Sequence, residues 1–327
     1  MSLNAVWFGL IAVLWTGYFL LEGFDFGVGV LLPVLGRDET RRRVLLNTIG
    51  PVWDGNEVWL IVAAGATFAA FPEWYAALFS GFYLPLLVIL VALIGRGVAF
   101  EYRGKVDSDR WRRAWDMAIV GGSLVPAVLW GVVFGNVVHG MALDAGHHYT
   151  GGLGDLFNPY ALLGGAAMLL LFVTHAAVFL ALKTEDDIRE SARRLAMWLG
   201  AGAVVAVGAF LLWTDLAPTG AVAIVALIAA LALTRIGRDG WAFAATGITV
   251  VAATVTLFLA LYPNVLPSTM DPANSLTVTN AASSPYTLKV MTWVALAFTP
   301  VVLVYQGWTY WVFRKRIGVR HIPRSTH

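Results

Sequence analysis

Cysteine is absent from the 327 residues, which excludes disulfides, thiolate metal sites, iron–sulfur clusters and haem attachment through C-x-x-C-H. Charge is scarce too: 13% of the chain is Asp, Glu, Lys or Arg, against about a quarter in soluble domains. The 22 basic and 20 acidic residues leave a formal net charge of +2, so no bulk field points to nucleic acid as a partner. Neither H-E-x-x-H nor a phosphate-binding Gly-Lys motif occurs. What abounds is apolar. Hydrophobic residues make up 59% of the chain, more than a soluble domain of this size can bury. The apolar runs do not alternate with polar residues, which excludes a strand-built barrel. The composition specifies an all-α polytopic membrane protein, with residues 1–327 forming one integral membrane unit.

A bilayer-crossing helix needs about 20 apolar residues. Nine runs qualify: Asn4–Leu35, Ile49–Phe71, Tyr75–Val98, Trp115–Val138, Asn158–Leu182, Arg194–Trp213, Gly220–Thr234, Trp241–Tyr262 and Thr287–Phe313. The first lacks a basic leader and is too long for a signal-peptide core, so it reads as a retained span. The cations then orient the chain. Arg37, Arg41, Arg42 and Arg43 follow the first run, and Arg96, Arg103, Lys105, Arg110, Arg112 and Arg113 follow the third. Lys183, Arg189, Arg193 and Arg194 follow the fifth, Arg235 and Arg238 the seventh, and Arg314, Lys315, Arg316, Arg320 and Arg324 the ninth. Of all the basic residues only Lys289 falls on the other side. Positive charge stays in the cytoplasm, which predicts an external amino terminus and a cytoplasmic carboxy terminus. The outer connections, His139–Phe157 and Pro263–Tyr286, are too short to be domains. Trp7, Trp74, Tyr75, Trp111, Trp213, Trp241, Tyr262 and Trp311 read as interfacial anchors.

Four acids stand where an apolar run should exclude them: Glu22 and Asp25 in the first run, Asp54 and Glu57 in the second. Positions i and i+3 share a helix face, so each pair should point one way. Asp25 lies ~15 Å from the inner end of its span and Asp54 ~7 Å into the next, at 1.5 Å per residue. Carboxylates in hydrocarbon face a bundle interior or a water-filled path. Two readings stay open: a polar knot bonded internally, to Asn56 or to Arg96, and a proton route. Close carboxylates cannot all ionise, so at least one should hold a proton at neutral pH. Gly17, Gly23, Gly27 and Gly29, with Gly55 and Gly65, predict close helix contacts that place these acids. The stretch Arg96–Lys105, with Glu101 among cations, reads from spacing as an ordinary basic flank. A haem ligand pair is not evident. His175 alone lies deep in a run, and His139 sits at the opposite depth, which leaves a His175–Met pairing as the one remaining option.

These residues fall into ordered motifs. They are Glu22–Gly29 (EGFDFGVG), Gly50–Leu60 (GPVWDGNEVWL), Ser80–Tyr83 (SGFY), Arg96–Arg103 (RGVAFEYR), Phe134–Asn136 (FGN) and the set between Asn274 and Trp293. In this order and spread the sequence resembles subunit II of the cytochrome bd-type quinol oxidases. The resemblance implies nine transmembrane helices, arranged as two four-helix bundles plus one peripheral helix, in a bacterial cell membrane. It implies a partner, subunit I, that binds the haems of types b and d and oxidises menaquinol or ubiquinol with O2. The complex would be electrogenic without pumping, and small single-span accessory subunits and a structural quinone are further expectations. By resemblance, Asp25, Asp54 and Glu101 belong to a cytoplasmic proton route. Arg96 and Lys105 flank its entrance, and Trp59 lines an oxygen path; Glu22 and Glu57, from their place in the apolar runs, are further candidates for the proton route. Glu57 stands where some members have Gln, and Glu101 where some have Asp. The rival reading is a proton-coupled secondary transporter, which predicts an inverted repeat and broken helices near the midplane.

Overall fold

The computed structural model describes residues 2–215 and 217–322; Arg324, grouped above with the tail cations, lies outside the described residues. Eleven α-helices follow in order among the described residues: α1 (Leu3–Leu35), α2 (Glu39–Ile49), α3 (Trp53–Ala70), α4 (Pro72–Gly81), α5 (Tyr83–Tyr102) and α6 (Asp109–His139) come first. They are followed by α7 (Pro159–Lys183), α8 (Asp186–Thr214), α9 (Pro218–Arg235), α10 (Asp239–Leu261) and α11 (Pro285–Val312). Eight of them, α1 and α5 to α11, are long and apolar enough to cross a membrane. The chain is therefore a multi-pass membrane protein. The eighteen-residue α3 carries the second apolar run, and Asp54, Asn56 and Glu57 in its opening turns dilute its hydropathy.

Two boundaries differ from the sequence reading. The run Tyr75–Val98 is not one helix, because α4 ends at Gly81 and α5 begins at Tyr83. The connection after the first run is itself helical. Asp38 caps α2 by accepting from the Arg41 amide at 2.9 Å, and the alternation of basic and apolar residues lays Val44, Leu45 and Ile49 inward. Asp54 consequently stands in the first turn of α3, shallower than expected.

α1 is the hub, packed by α3, α6, α7 and α10. Such proximity needs missing side chains. A Cβ on Gly27 would collide with Ala176 and the Phe172 carbonyl of α7, and one on Gly131 of α6 with the Gly164 carbonyl. Without a hydrophobic force between spans, this contact of backbones supplies the packing energy. Gly131→Ala is therefore expected to cost about 1–3 kcal/mol by overpacking, visible as a lower thermal midpoint of the purified protein. Gly55 and Gly65 behave differently from the expectation: nothing lies within 4 Å of a Cβ at either, because both face the cleft beside α11.

α11 is the outlier. Only 6% of its membrane window is buried, against 72% for α7. At its first turns the Trp7 indole donates to the Leu288 carbonyl and to Thr292 Oγ1, both at 3.1 Å. Trp7 is thus a buried strut, and Trp74 is buried as well, whereas Trp213, Trp241, Tyr262 and Trp311 are exposed as anchors require.

The connections at the two ends of the helices differ in chemistry. At the end bearing the cations, buried Arg103 grips Glu39 of α2 through Nη2 at 2.8 Å and Asp116 of α6 through Nε at 2.5 Å. Against the penalty of burial, the hydrogen bonds it donates to both acids hold its guanidinium even more firmly charged than usual. Arg189 and Arg193 converge on Asp239 at 2.6 and 2.7 Å, and the tail folds back so that the Ile317 amide reaches the Lys183 carbonyl at 2.8 Å. At the other end, β1 (Asn264–Leu266) pairs antiparallel with β2 (Leu276–Thr277). This hairpin interlocks with the connection after α6, where the Met141 amide donates to the Pro267 carbonyl and the Thr269 amide to that of Met141, each at 2.9 Å. These two connections order each other.

Candidate functional site

Three of the four acids, Glu22, Asp25 and Glu57, converge where α1, α3 and α5 meet, and the group that organises them is Arg96. It is wholly buried, not a flank residue as its spacing suggests. Its Nη1 lies 3.1 Å from Glu22 Oε2 and 3.8 Å from Glu57 Oε2. The guanidinium sits over the rings of Phe26 at 4.8 Å and Phe100 at 5.3 Å. Arg96 is held this deep because Gly122 of α6 leaves room for its Cβ. Glu22 is wholly buried and the Glu57 side chain is 23% exposed.

Asp25, one turn beyond Glu22, has a different partner. Its Oδ2 accepts from Asn56 Nδ2 at 2.6 Å, and both residues are wholly buried. Asn56 Oδ1 in turn accepts from Tyr310 OH at 2.8 Å and Gln306 Nε2 at 3.2 Å, while Trp59 Nε1 donates to Gln306 Oε1 at 2.8 Å. Thus Glu22, Asp25, Glu57 and Arg96 come together, joined through Asn56 to α11. Two of the three carboxyl groups share the one guanidinium, and a further uncompensated buried anion is expensive. Four buried polar atoms of the cluster have no protein partner among the described residues: Glu22 Oε1, Asp25 Oδ1, Arg96 Nε and Arg96 Nη2.

The remaining expected residues lie apart. Asp54 is exposed, accepts from the Gly55 amide at 2.7 Å, and lines the cleft between α3 and α11 rather than joining Glu57. Glu101 and Lys105 are at the surface, and neither side chain makes a hydrogen bond or ion pair among the described residues. Trp59 occupies the space left by Gly17 and borders the same cleft. Gln306 and Tyr310 escaped the sequence reading. Their one visible signal is a pair of polar groups four apart in an apolar run, hence on one helix face.

Two cavities flank α3, and only the first reaches the cluster, at Asn56. The α3–α11 cleft measures about 770 Å³ and is apolar except at the end carrying Asp54, Asn56, Gln306 and Tyr310. A second chamber of about 290 Å³ lies between α1, α3, α4, α5 and α6, walled by Trp15, Leu60, Trp74, Leu90, Trp130 and Phe134. Trp74 Nε1 is buried on its wall without a hydrogen-bond partner among the described residues.

Comparison with known proteins supplies the deciding observation. Residues 3–313 match the profile of the family described as cytochrome bd terminal oxidase subunit II. The chain belongs to that family. Cytochrome bd ubiquinol oxidase subunit 2 of Bacillus subtilis (strain 168) is 44% identical over 329 residues, covering 97% of each chain. Cytochrome bd-I ubiquinol oxidase subunit 2 of Escherichia coli (strain K12) is 35% identical over 370 residues, covering 99% of this chain and 98% of that one. The structure of bd oxidase from Geobacillus thermodenitrificans superposes with a TM-score of 0.78 at 17% identity, over 96% of this chain and 100% of that one. At that identity the likeness concerns the fold.

Membership raises the question of haem, which needs axial ligands such as a His pair or His with Met. The residues of this subunit II chain do not fit one. His175 Nδ1 is bonded to Thr246 Oγ1 at 2.6 Å, and Phe243 stacks on the ring at 4.6 Å. His139 ends α6, edge-on to Tyr160. Among the described residues no group of three or more His, Asp or Glu side chains could hold a metal ion.

Proposed function

We propose that this chain is the haem-free half of a bd-type quinol oxidase and conducts protons from the cytoplasm toward the haems of subunit I. The observation that carries this is the wholly buried set Glu22, Asp25 and Arg96 with its four unpaired polar atoms. Buried polar groups bond to protein or to ordered water, so these atoms are addresses for internal water beside acids that exchange protons. The haems supply the electron transfer to O2 in the partner; this chain's residues hold and move protons.

The nine-span arrangement follows if α3 is added to the eight long apolar helices, and nine spans suit two four-helix bundles plus one peripheral helix. The basic connections then lie in the cytoplasm and the interlocked hairpin outside. On that orientation Asp54 faces the cytoplasmic end of the α3–α11 cleft and receives protons first. Glu57, half out of the core, and Asp25 follow, with Glu22 tied to Arg96. Glu101 and Lys105 colour the approach as surface charges.

The same end supports a docking face for subunit I. Protons must leave toward the partner, and the acids open on the side of α3 and α11. α11 is barely covered by its own chain and exposes Trp293, Phe298, Tyr305 and Trp308. The chamber beside Trp74 is apolar, with one free indole donor, which suits a quinone carbonyl. The break at Phe82 lies at the end of the helices away from the acids, unlike the broken spans of a transporter.

The test uses gently purified, tagged protein. A haem-bearing companion, a reduced-minus-oxidised haem spectrum and an extractable quinone are expected. Asp54→Asn should slow quinol-driven oxygen consumption several-fold with the haem spectrum intact. Purification without a haem-bearing companion would sink the oxidase assignment, and lost haem in Asp54→Asn would make that residue structural.

A further inference from the structure

We infer that Trp59, Gln306 and Tyr310 are positioning residues for Asp25: through Asn56 they fix Asp25 Oδ2 as a hydrogen-bond acceptor and leave Oδ1 to take and release the proton. The inference rests on the proton-route reading and adds to it the direction of a hydrogen-bond chain.

That direction follows from which groups can only donate. An indole N–H has no acceptor capacity. Trp59 Nε1 donates at 2.8 Å and so makes the near atom of Gln306 its oxygen. The other end of that amide is then the NH2 group, 3.2 Å from Asn56. Asn56 must meet it with Oδ1, which also accepts from Tyr310 OH at 2.8 Å. Only Nδ2 remains for Asp25, and it donates to Oδ2 at 2.6 Å. Turning Asn56 over would set its oxygen against a carboxyl oxygen and its NH2 against the Gln306 NH2. Each link forbids the reverse polarity, starting from Trp59.

The consequence falls on the unpaired atom. Asp25 Oδ1 is buried and has no protein partner, whereas Oδ2 is committed to an amide N–H. A carboxyl proton on Oδ2 would face that donor, so the proton belongs on Oδ1. Amides orient a proton carrier without relaying protons themselves, because neither nitrogen is basic. α11 therefore acts on Asp25 at a distance. The helix touches its own bundle through few side chains, and the same bonds that seat it aim the Asn56 amide.

The test is redox-difference infrared spectroscopy on the complete complex with its haem-bearing partner, with the Asp25 carboxyl band assigned by its loss in Asp25→Asn. Tyr310→Phe and Gln306→Met each remove a donor at nearly constant volume. Both are expected to move that band and to lower turnover about two- to tenfold, the scale of one hydrogen bond, with the haem spectrum unchanged. If Gln306→Met does not assemble, Gln306→Glu takes its place, since it keeps the acceptor for Trp59 and loses the donor to Asn56. An unmoved Asp25 band in these variants overturns the inference whatever happens to turnover, because a helix anchor alone would leave the band in place. If Asp25→Asn still slows turnover, the proton route stands; parental turnover in Asp25→Asn removes the route and this inference together.

Discussion

Arg96→Leu is expected to remove most of the assembled protein from the membrane, destabilising it by about 3–5 kcal/mol, the range for breaking a buried ion pair from one side. Arg96 is the guanidinium between Glu22 and Glu57, and Glu22 has no other charge partner within 4.0 Å among the described residues. Leu fills part of the space between Phe26 and Phe100 but leaves the acids without their cation. Arg96→Lys should lose less, about 1–2 kcal/mol, because a point charge remains. Its ammonium cannot span Glu22 and Glu57 as a planar fork does, nor stack on the rings. Replacing Glu22 and Arg96 together by Leu should recover much of the loss, as apolar replacement of whole buried pairs does elsewhere. The measurements are complex yield per unit of membrane and thermal midpoint in detergent. Parental stability in Arg96→Leu would mean that the pair is not ionised.

Arg96 also shows where sequence reasoning reached its limit. Runs of apolar residues locate the eight long apolar helices, because hydrocarbon thickness sets one length for all of them. Asn4–Leu35 became α1 at Leu3–Leu35, and Gly220–Thr234 became α9 at Pro218–Arg235. Spacing makes Arg96 look like a flank residue because it precedes Arg103 and Lys105 in chain order, which says nothing of depth, although the polar-knot reading already offers it to the acids as a partner. Its burial depends on Gly122, in the next helix. The acids were legible, since an acid in an apolar run is conspicuous alone. Their partners were legible only in part: Asn56 lies between two of them, but Gln306 and Tyr310 reach it across about 250 residues. The break at Phe82 left no trace in hydropathy, because both sides of it are apolar. Trp7 and Trp74 look like any interfacial tryptophan until the neighbours that cover them are known.

Asp25→Asn is expected to cut quinol-driven oxygen consumption on the order of 10²-fold, the low end for losing a positioned proton-transfer group. The substitution is close to isosteric. The new side-chain oxygen can still accept from Asn56 Nδ2, and its NH2 group occupies the place of Oδ1, so the link to α11 survives. What disappears is the exchangeable proton. Glu22→Gln separates the two roles, because Glu22 is the ionic partner of Arg96 at 3.1 Å. Its loss should show first in assembly and thermal midpoint, whereas Asp25→Asn should leave both near the parent. Asp25→Glu restores the carboxyl but pushes it about one methylene farther, past the Asn56 amide that aims it, so it should recover only part of the rate. The measurement is oxygen uptake per haem at saturating quinol, with the reduced-minus-oxidised spectrum recorded on the same sample. Full turnover in Asp25→Asn would show that protons bypass α1. Lost turnover with lost haem would instead make Asp25 a strut, and the acids of this bundle would then be a polar knot with no traffic through it.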